Sequence, residues 1–372
     1  MAGLRSKWKS KNLMRESKLK VGILTFHDGL NHGAYLQAYC TMRAVERLGH
    51  DAVIINYKNR EHWLKEDVRP WMAYRRPVRF LDHWQKRKAF KKDQKQMNLT
   101  PFTKDPEEVR ARHFDAVIFG SDVVWDTKIF GYDSLYFGDL NADRRIGYAA
   151  SCGSDDFSEE IPAKIQQRLR TFDQLSVRDQ NTESFVERAI GLRPSRVLDP
   201  VFLPEGLSQI TNETNSSNLP GVPFILVYGS HHSAEDAAVI RTFAKQRGLA
   251  IFSVGCRNLW ADRSFLSIGP LEILSWFKKA QFVFSSTFHG CIFAIRCEKD
   301  FGVLLHGTIH NKVTSLLDVT GLQERGATQL SELISAVTAP VDYSSVNARL
   351  LPLQEFSRNW LASALQDCEF RL

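Results

Sequence analysis

The chain has 372 residues, of which 43% are apolar and 24% charged, and its formal net charge is +7. This length is too great for one ordinary hydrophobic core and predicts two domains, and the composition is that of a globular protein rather than a disordered or fibrous one. The positive charge favours an anionic partner, such as a phosphate, a nucleotide, an acidic sugar or a membrane surface, without choosing among them.

The cysteines and the N-terminus indicate the compartment. The six cysteines lie at positions 40, 152, 256, 291, 297 and 368 and form no CxxC pair. We therefore expect free thiols and neither a metal site nor a disulfide framework. The basic N-terminus lacks the apolar run of a signal peptide, and no stretch approaches about 18 uninterrupted apolar residues. These features predict a cytoplasmic protein in which residues 1–18 are flexible.

The first half of the chain begins with a β-α-β pattern. A buried strand is predicted at 19–26, a helix at 34–50, where apolar residues recur with helical spacing, and a strand at 51–57. Such units are almost always right-handed. Further strands are predicted at 115–122, 145–151, 175–179 and 196–203.

A basic segment rich in aromatic residues, 60–104, interrupts this alternation, and a helix is predicted within it at about 78–96. Its aromatic residues are Trp63, Trp71, Tyr74, Phe80, Trp84 and Phe90. One interpretation is a solvated helical insertion that packs its aromatic rings on the domain. The other is a surface for an anionic acceptor or for the inner face of a membrane. No nucleic-acid-binding module is recognisable, so a nucleic acid partner is not expected.

The second half repeats the α/β alternation after a linker predicted at 206–222, which is rich in Asn, Ser, Gly and Pro. Strands are predicted at 224–229, 250–255, 282–287 and 301–305, and helices at 234–247, 270–280, 289–297, 311–321 and 330–338. The fold class is therefore α/β, with two Rossmann-like doubly wound domains, 19–205 and 223–343, facing each other across a cleft. A last helix within 344–372 is expected to cross back to the first domain.

Ligands in such sheets bind beyond the carboxyl ends of the strands, so the candidate sites are predicted on the loops that follow them. His289 and Gly290 lie where a predicted strand ends and a helix begins. A helix N-terminus binds anions, histidine transfers protons near neutral pH, and glycine permits close approach. The alternative is a histidine that only caps its own helix.

Two cations lie in comparable loops. Arg178 lies near the end of a predicted strand and could grip a carboxylate or phosphate, although spacing alone favours an ion pair with Asp179 or a neighbour. Lys312 opens a predicted helix, where a cation is locally unfavourable unless an anion lies near. His306 and His310 have the spacing of a metal pair only on a helix. Gly307 and its β-branched neighbours predict a loop instead, so no metal site is expected.

Four residues of the first domain are candidates for binding a sugar. Asp122 could orient a hydroxyl or cap a helix, and Trp125 could stack on a sugar face or lie in the core. Asn31 and His32 resemble a helix N-cap with the same two interpretations. No GxGxxG or GxxxxGK[ST] motif follows either opening strand, which disfavours NAD and P-loop nucleotides.

Taken in order, several segments resemble the polysaccharide pyruvyl transferase family. They are KVGILTFHDGLNHGAYLQAY (20–39), FDAVIFGSDVVW (114–125), IGYAASCG (146–153), LSVRDQNT (175–182), VLDPVFL (197–203), GPLEILSWFKKAQFVFSSTFHGCIFAI (269–295) and NKVTSLLDVTGLQER (311–325). The chain departs from the family pattern at Val123, Asp126 and Thr287. The resemblance implies a fold like that of the GT-B glycosyltransferases. It also implies transfer of a pyruvyl group from phosphoenolpyruvate onto sugar hydroxyls, forming a ketal, with phosphoenolpyruvate as co-substrate and no other cofactor.

The resemblance places Arg178, His289, Gly290 and Lys312 in the donor pocket, with His289 as the acid–base group. Asp122, Trp125, Asn31 and His32 are then expected on the acceptor side, facing a free or lipid-linked saccharide. Two other hypotheses stay open: a glycosyltransferase using a nucleotide sugar, with Glu272 holding the ribose, or a glycan-binding scaffold without activity.

Overall fold

The structure of the chain is a computed structural model, of which residues 18–70, 72, 77–153, 160–207, 219–307 and 309–366 are described. The predicted flexible segment, except for Lys18, lies outside the described residues. So do Trp71 and Tyr74 of the insertion and positions 208–218 of the predicted linker.

Each half of the chain builds one parallel six-stranded sheet, which confirms the predicted fold class. The first sheet has the order β2-β1-β3-β4-β5-β6. Its strands are β1 (Lys20–Leu24), β2 (Asp51–Ile54), β3 (Phe114–Phe119), β4 (Ala142–Ala150), β5 (Gln174–Val177) and β6 (Ser195–Arg196). The helices of this half are α1 (His32–Arg47), α2 (Arg60–Trp63), α3 (Pro77–Gln94), α4 (Pro106–Arg110), α5 (Thr127–Phe130), α6 (Ala163–Leu169), α7 (Gln180–Ile190) and α8 (Pro204–Leu207).

The second sheet has the order β12-β11-β10-β7-β8-β9. Its strands are β7 (Phe224–Tyr228), β8 (Ala250–Val254), β9 (Arg263–Phe265), β10 (Phe282–Ser285), β11 (Phe301–Leu304) and β12 (Gly326–Ala327). The helices are α9 (Ala234–Arg247), α10 (Ile273–Lys279), α11 (Phe288–Arg296), α12 (His310–Thr320), α13 (Leu330–Ala336) and α14 (Tyr343–Gln366). The sequence analysis did not predict the edge strands β9 and β12, which are only three and two residues long.

The chain order places one switch point in each sheet, and both point into the same cleft. In the first sheet β1 lies between β2 and β3, and in the second β7 lies between β8 and β10. Loops that follow such neighbouring strands diverge to opposite sides of the sheet and leave a crevice between them. The loops after β1, β3, β7 and β10 therefore frame the candidate site.

The predicted strand at 196–203 is wrong beyond Arg196. The structure has only β6 there, followed by a 3-10 turn at Pro200–Phe202 and then α8. Pro200 has no N–H to give to a sheet, and the Asp199 side chain accepts a hydrogen bond from the Val201 amide at 3.1 Å, which caps the turn. Asp199 is thereby held, buried, beside Arg178 and His289.

The helix α3 of the insertion contacts the second domain. Asp82 accepts two hydrogen bonds from Arg257, at 2.7 and 2.5 Å. Asp93, further along the same face of the helix, accepts a hydrogen bond from the Leu271 amide at 2.9 Å. The helix thus lies across one side of the cleft, rather than only against the domain from which it comes.

The last helix, α14, contacts the first domain as well as the second. Arg144 of β4 donates to the Leu365 carbonyl at 2.6 Å, and the Ser357 hydroxyl accepts from the Leu198 amide at 2.9 Å. Within the described ranges, no helix combines the length and apolar character that crossing a membrane requires.

Candidate functional site

A cavity of about 370 Å³ lies between the carboxyl edges of the two sheets. Its titratable lining residues are His32, Lys86, Asp122, Arg178, Tyr228, His231, Cys256, His289, His306 and Lys312. Three of these side chains are lysine or arginine, and Asp122 is the one carboxylate among the described lining residues. The cavity is therefore suited to an anionic ligand.

Arg178 and Asp199 form a buried ion pair at the base of the cavity. The guanidinium Nη1 lies 2.8 Å from Asp199 Oδ2, and each side chain is only 2% exposed. Nη1 also donates to the Ser121 hydroxyl at 3.2 Å, and the guanidinium lies 4.7 Å from the centre of the Phe288 ring. The alternative considered for Arg178 was an ion pair with Asp179 or a neighbour. Asp179 is not the partner, because it caps α7 and accepts from Ser151, but Arg178 does pair with the carboxylates of Asp199 and Asp122.

His289 approaches the same carboxylate oxygen of Asp199 as Arg178 does. Its Nε2 is 3.6 Å from Asp199 Oδ2, an ion-pair distance rather than a hydrogen bond. Burial alone would raise the pKa of Asp199, but His289 and Arg178 lower it to about 2. Asp199 is therefore ionised at neutral pH and can support positive charge on the imidazole. His289 Nε2 is buried and has no hydrogen-bond partner among the described residues.

The position of His289 is fixed by the start of α11 and by the first domain. Thr287 is the N-cap, and its hydroxyl accepts from the Gly290 amide at 3.0 Å, the role a serine would also fill. Across the cleft, Gly33 at the start of α1 lies against the imidazole, where an added Cβ would overlap the ring. The two domains thus meet at this histidine.

Gly290 does not have the role predicted for it. A Cβ at this position would meet Ser285, Thr287 and Tyr228, and the amide is already bonded to the Thr287 cap. Gly290 is not among the residues that line the cavity. Glycine is required here by packing against β7 and β10 rather than by contact with a ligand.

Lys312 lies in the first turn of α12 and lines the cavity. Burial lowers the pKa of Lys312, and the nearby Arg178 guanidinium lowers it further, while Asp122 opposes the shift. The ammonium forms no ion pair with another described residue. A partly buried cation without an ion-pair partner is unfavourable, and an anionic ligand would relieve that cost.

The structure separates the two acceptor-side candidates of the β3 loop. Asp122 lines the cavity, and its Oδ1 lies 3.6 Å from Arg178 Nη2. Trp125 is fully buried in the core of the first domain, and its indole N–H donates to the Tyr136 carbonyl at 3.0 Å. It has no face left for a sugar, so a stacking role for Trp125 is wrong.

Asn31 and His32 are both engaged in structural contacts. Asn31 is the N-cap of α1 and accepts from the Gly33 amide at 2.9 Å, although it is exposed at the cavity. His32 contacts the Tyr228 hydroxyl at 3.1 Å and the Ile268 carbonyl at 3.0 Å, which ties the two domains together. Burial and the nearby Lys86 lower the pKa of His32 to about 3, so it is neutral, with both ring nitrogens occupied.

The sequence analysis missed Asp199 and Lys86. Asp199 was assigned to a strand, and the Asp-Pro pair at its position was the signal that could have corrected this. Lys86 comes from α3 and enters the cavity near His32 and Cys256. Burial lowers its pKa to about 8.

The geometry does not support a ribose-binding role for Glu272 or a metal-binding pair of His306 and His310. Glu272 accepts from the Trp276 indole at 3.3 Å and is not a lining residue of the cavity, which removes its suggested role in holding a ribose. His306 accompanies His231 as a stacked pair and lies in a loop before α12. Among the described residues, the one cluster with metal-ligand spacing is His113, Asp115 and Asp143, two of them exposed, at the opposite edge of the first sheet.

Two parallel α/β domains with a ligand-sized cavity between their carboxyl edges define the GT-B-like class of proteins. One solved structure supports this class, and two others are reported with it. A protein described as a UDP-N-acetylglucosamine 2-epimerase from Listeria monocytogenes matches with a TM-score of 0.53 and 12% identity, over 94% of this chain and 96% of that one. The UDP-GlcNAc 2-epimerase of Methanocaldococcus jannaschii, in complex with UDP-GlcNAc and UDP, gives 0.49 and 12%, over 90% and 99%.

A glycosyltransferase from Rickettsia africae gives a TM-score of 0.44 and 12% identity, over 94% of both chains. At these identities the similarity concerns the fold alone. A search of curated proteins found no match to the chain. The model of the polysaccharide pyruvyl transferase family matches residues 31–307, and the chain belongs to that family. It is thus assigned to the pyruvyl transferase class of enzymes.

Proposed function

We propose that the protein transfers the pyruvyl group of phosphoenolpyruvate to two hydroxyls of a saccharide acceptor, forming a pyruvate ketal. The observation that carries the proposal is the Asp199–Arg178–His289 arrangement beside Lys312 in a cationic cavity between the domains. Phosphoenolpyruvate has a carboxylate and a phosphate, and several cations around one histidine suit both groups. No cofactor besides this co-substrate enters the proposal.

The reaction needs proton transfer and charge stabilisation. A proton added to the methylene carbon makes the central carbon electrophilic, one sugar hydroxyl attacks it, and a second replaces the phosphate. Of the two hydroxyl protons released, one balances the new methyl group and the other leaves with phosphate. His289 is the acid–base group, and Asp199 stabilises its protonated form.

The two cations have different roles, one in orienting the donor and the other in neutralising charge. Arg178 is held rigidly by Asp199 and Ser121, and it orients the donor carboxylate through its remaining donors. Its Nε is buried without a hydrogen-bond partner among the described residues. Lys312 neutralises charge moving onto the departing phosphate. Asp122 holds an acceptor hydroxyl, and the two walls of the cavity bring donor and acceptor together.

The test is turnover with candidate glycans, measured as phosphate release and as pyruvyl incorporation by mass spectrometry. We expect phosphoenolpyruvate-dependent incorporation that His289→Gln reduces by at least about a hundredfold, the usual scale for an acid–base group. The matched control is His113→Gln, at the far edge of the sheet, which should keep full activity.

Other outcomes would contradict the proposal. A folded His289→Gln enzyme with unchanged turnover would remove the assigned role of the histidine. Consumption of a nucleotide sugar with no use of phosphoenolpyruvate would show a glycosyltransferase. Glycan binding without consumption of either donor would show a scaffold.

A further inference from the structure

The helix α3 presents two different faces. Asp82, Lys86, Phe90 and Asp93 follow helical spacing on the inner face, where they contact the second domain, line the cavity or lie in the core. These contacts fix the rotation of the helix about its axis. The opposite face must therefore point away from the protein.

That outward face combines apolar and basic side chains. Leu81 and Trp84 are each 47% exposed. One turn further on, Lys88 and Lys92 are exposed on the same face. Lys88 Nζ lies 5.6 Å from the centre of the Trp84 ring, which holds the ring beside the basic end of the face.

Apolar side chains gathered on an exposed helix face are unusual in a monomer, because leaving them in water gains nothing for folding. The neighbouring lysines make the face cationic and favour an anionic occupant. Tryptophan and leucine suit the boundary between lipid headgroups and acyl chains, and lysine suits lipid phosphates. The combination matches the surface of an anionic bilayer better than a protein partner, whose interfaces are depleted in lysine.

We propose that the outward face of α3, defined by Leu81, Trp84, Lys88 and Lys92, docks the protein onto an anionic lipid surface. Leu81 and Trp84 enter the headgroup region, and the two lysines lie over lipid phosphates. This surface stands independently of the proposed reaction. It places Lys86, on the inner face of the same helix, and hence the cavity next to the bilayer.

The test is cosedimentation of the full chain with vesicles of phosphatidylcholine, with and without phosphatidylglycerol. We expect binding to the phosphatidylglycerol vesicles that weakens as salt is added, since the lysine contribution is screened. Lys88→Gln/Lys92→Gln should weaken partitioning by about fivefold for each lysine. Leu81→Ser/Trp84→Ser should weaken it by at least about tenfold, from loss of the inserted side chains.

Matched controls are Leu259→Ser, at an 88% exposed leucine of the second domain, and Lys245→Gln, at an exposed lysine of α9. Both should bind vesicles as the wild type does. Absence of binding by folded wild-type protein would overturn the proposal. Binding by both α3 variants that equals that of the wild type would also overturn it. Concentration-dependent dimers that disappear in Leu81→Ser/Trp84→Ser would show instead that the face joins two copies of this chain.

Discussion

Asp199 is the residue on which the geometry of the site depends. It is 3% exposed, yet it faces two groups that carry or can carry positive charge, Arg178 and His289. Removing one member of a buried ion pair leaves the other charge desolvated and unpaired, which costs more than the pair itself contributes. Asp199 therefore stabilises the fold at the cleft and fixes the orientation of the two proposed donor-binding residues.

We expect Asp199→Asn to lower the free energy of unfolding by about 3–5 kcal/mol, because Arg178 loses its partner in a buried position. Chemical denaturation at neutral pH measures this. The control is Asp51→Asn, whose ion pair with Lys18 is more than half exposed and should contribute less than about 1 kcal/mol.

The sign of the pH dependence follows from the lowered pKa of Asp199. Its folded-state value of about 2 lies below the ordinary 3.8, so its contribution is complete above about pH 4 and is lost as the pH falls towards 2. The difference in stability between wild type and Asp199→Asn should shrink over that interval. A difference that stays constant through it would contradict the assignment.

Lys86 should titrate about two pH units below an ordinary lysine. Burial lowers its pKa from 10.5 to about 8, so its amine becomes nucleophilic as the pH rises through 8. We expect the pH midpoint of its modification by an amine-reactive reagent, followed by peptide mass spectrometry, to lie near 8. Exposed Lys88 on the same helix is the internal reference, and coincident midpoints for the two lysines would contradict the prediction.

At the scale of elements, the first turns of α1 and α11 meet across the cleft. Gly33 of α1 lies against the His289 ring, so the absence of a side chain there allows the domains to close at this distance. The sequence alone marked both positions as helix starts after a strand. It could not show that the two helix starts face each other, because that depends on how the domains are oriented.

Gly33→Ala should therefore displace His289 and reduce turnover without unfolding either domain. We expect at least a tenfold loss of activity and about 1–3 kcal/mol of stability, the usual cost of overpacking. Phosphate release and chemical denaturation measure the two effects. Gly221→Ala, where an added Cβ meets nothing within 4 Å, is the matched control. An alanine at 33 that leaves activity unchanged would show that the contact is not required.

How much of the site the sequence predicts depends on what places each residue. Arg178, His289, Lys312 and Asp122 follow or precede strands and helices in a regular α/β alternation, and the carboxyl ends of parallel strands meet at one edge. Their placement at the carboxyl edge of each sheet is thus readable from the pattern, whereas the approach of the two edges to each other is not. To predict Asp199 as a site residue, the end of strand β6 would have had to be located correctly. To predict Lys86, the path of the 60–104 insertion would have had to be known, and the α/β alternation does not determine it. The predictions for Trp125 and Gly290 were wrong because local packing, which the pattern does not show, decides their surroundings. Trp125 lies in the core, and Gly290 packs against β7 and β10.

At the scale of the whole molecule, the two sheets form one cleft that several separate contacts close. His32 bonds to the second domain, α3 joins it through Asp82 and Asp93, and α14 returns to the first domain. The cations of the cavity come from both halves of the chain: Arg178 and Lys86 from the first, Lys312 from the second. An anion bound in this cavity would therefore lie between cations of both domains.

The most direct test of the proposed donor site is calorimetric titration of phosphoenolpyruvate into the full chain, beside Lys312→Met. Lys312 is preferable to Arg178 for this purpose because it has no ion-pair partner among the described residues that its loss would strand. We expect saturable binding by the wild type and at least about tenfold weaker binding by Lys312→Met, since the charge acts in a partly desolvated site. Lys245→Met, on the surface of α9, should bind as the wild type does. Absence of binding by the folded wild type, with and without candidate glycans, or equal affinity in Lys312→Met, would contradict the assignment of the cavity to this donor.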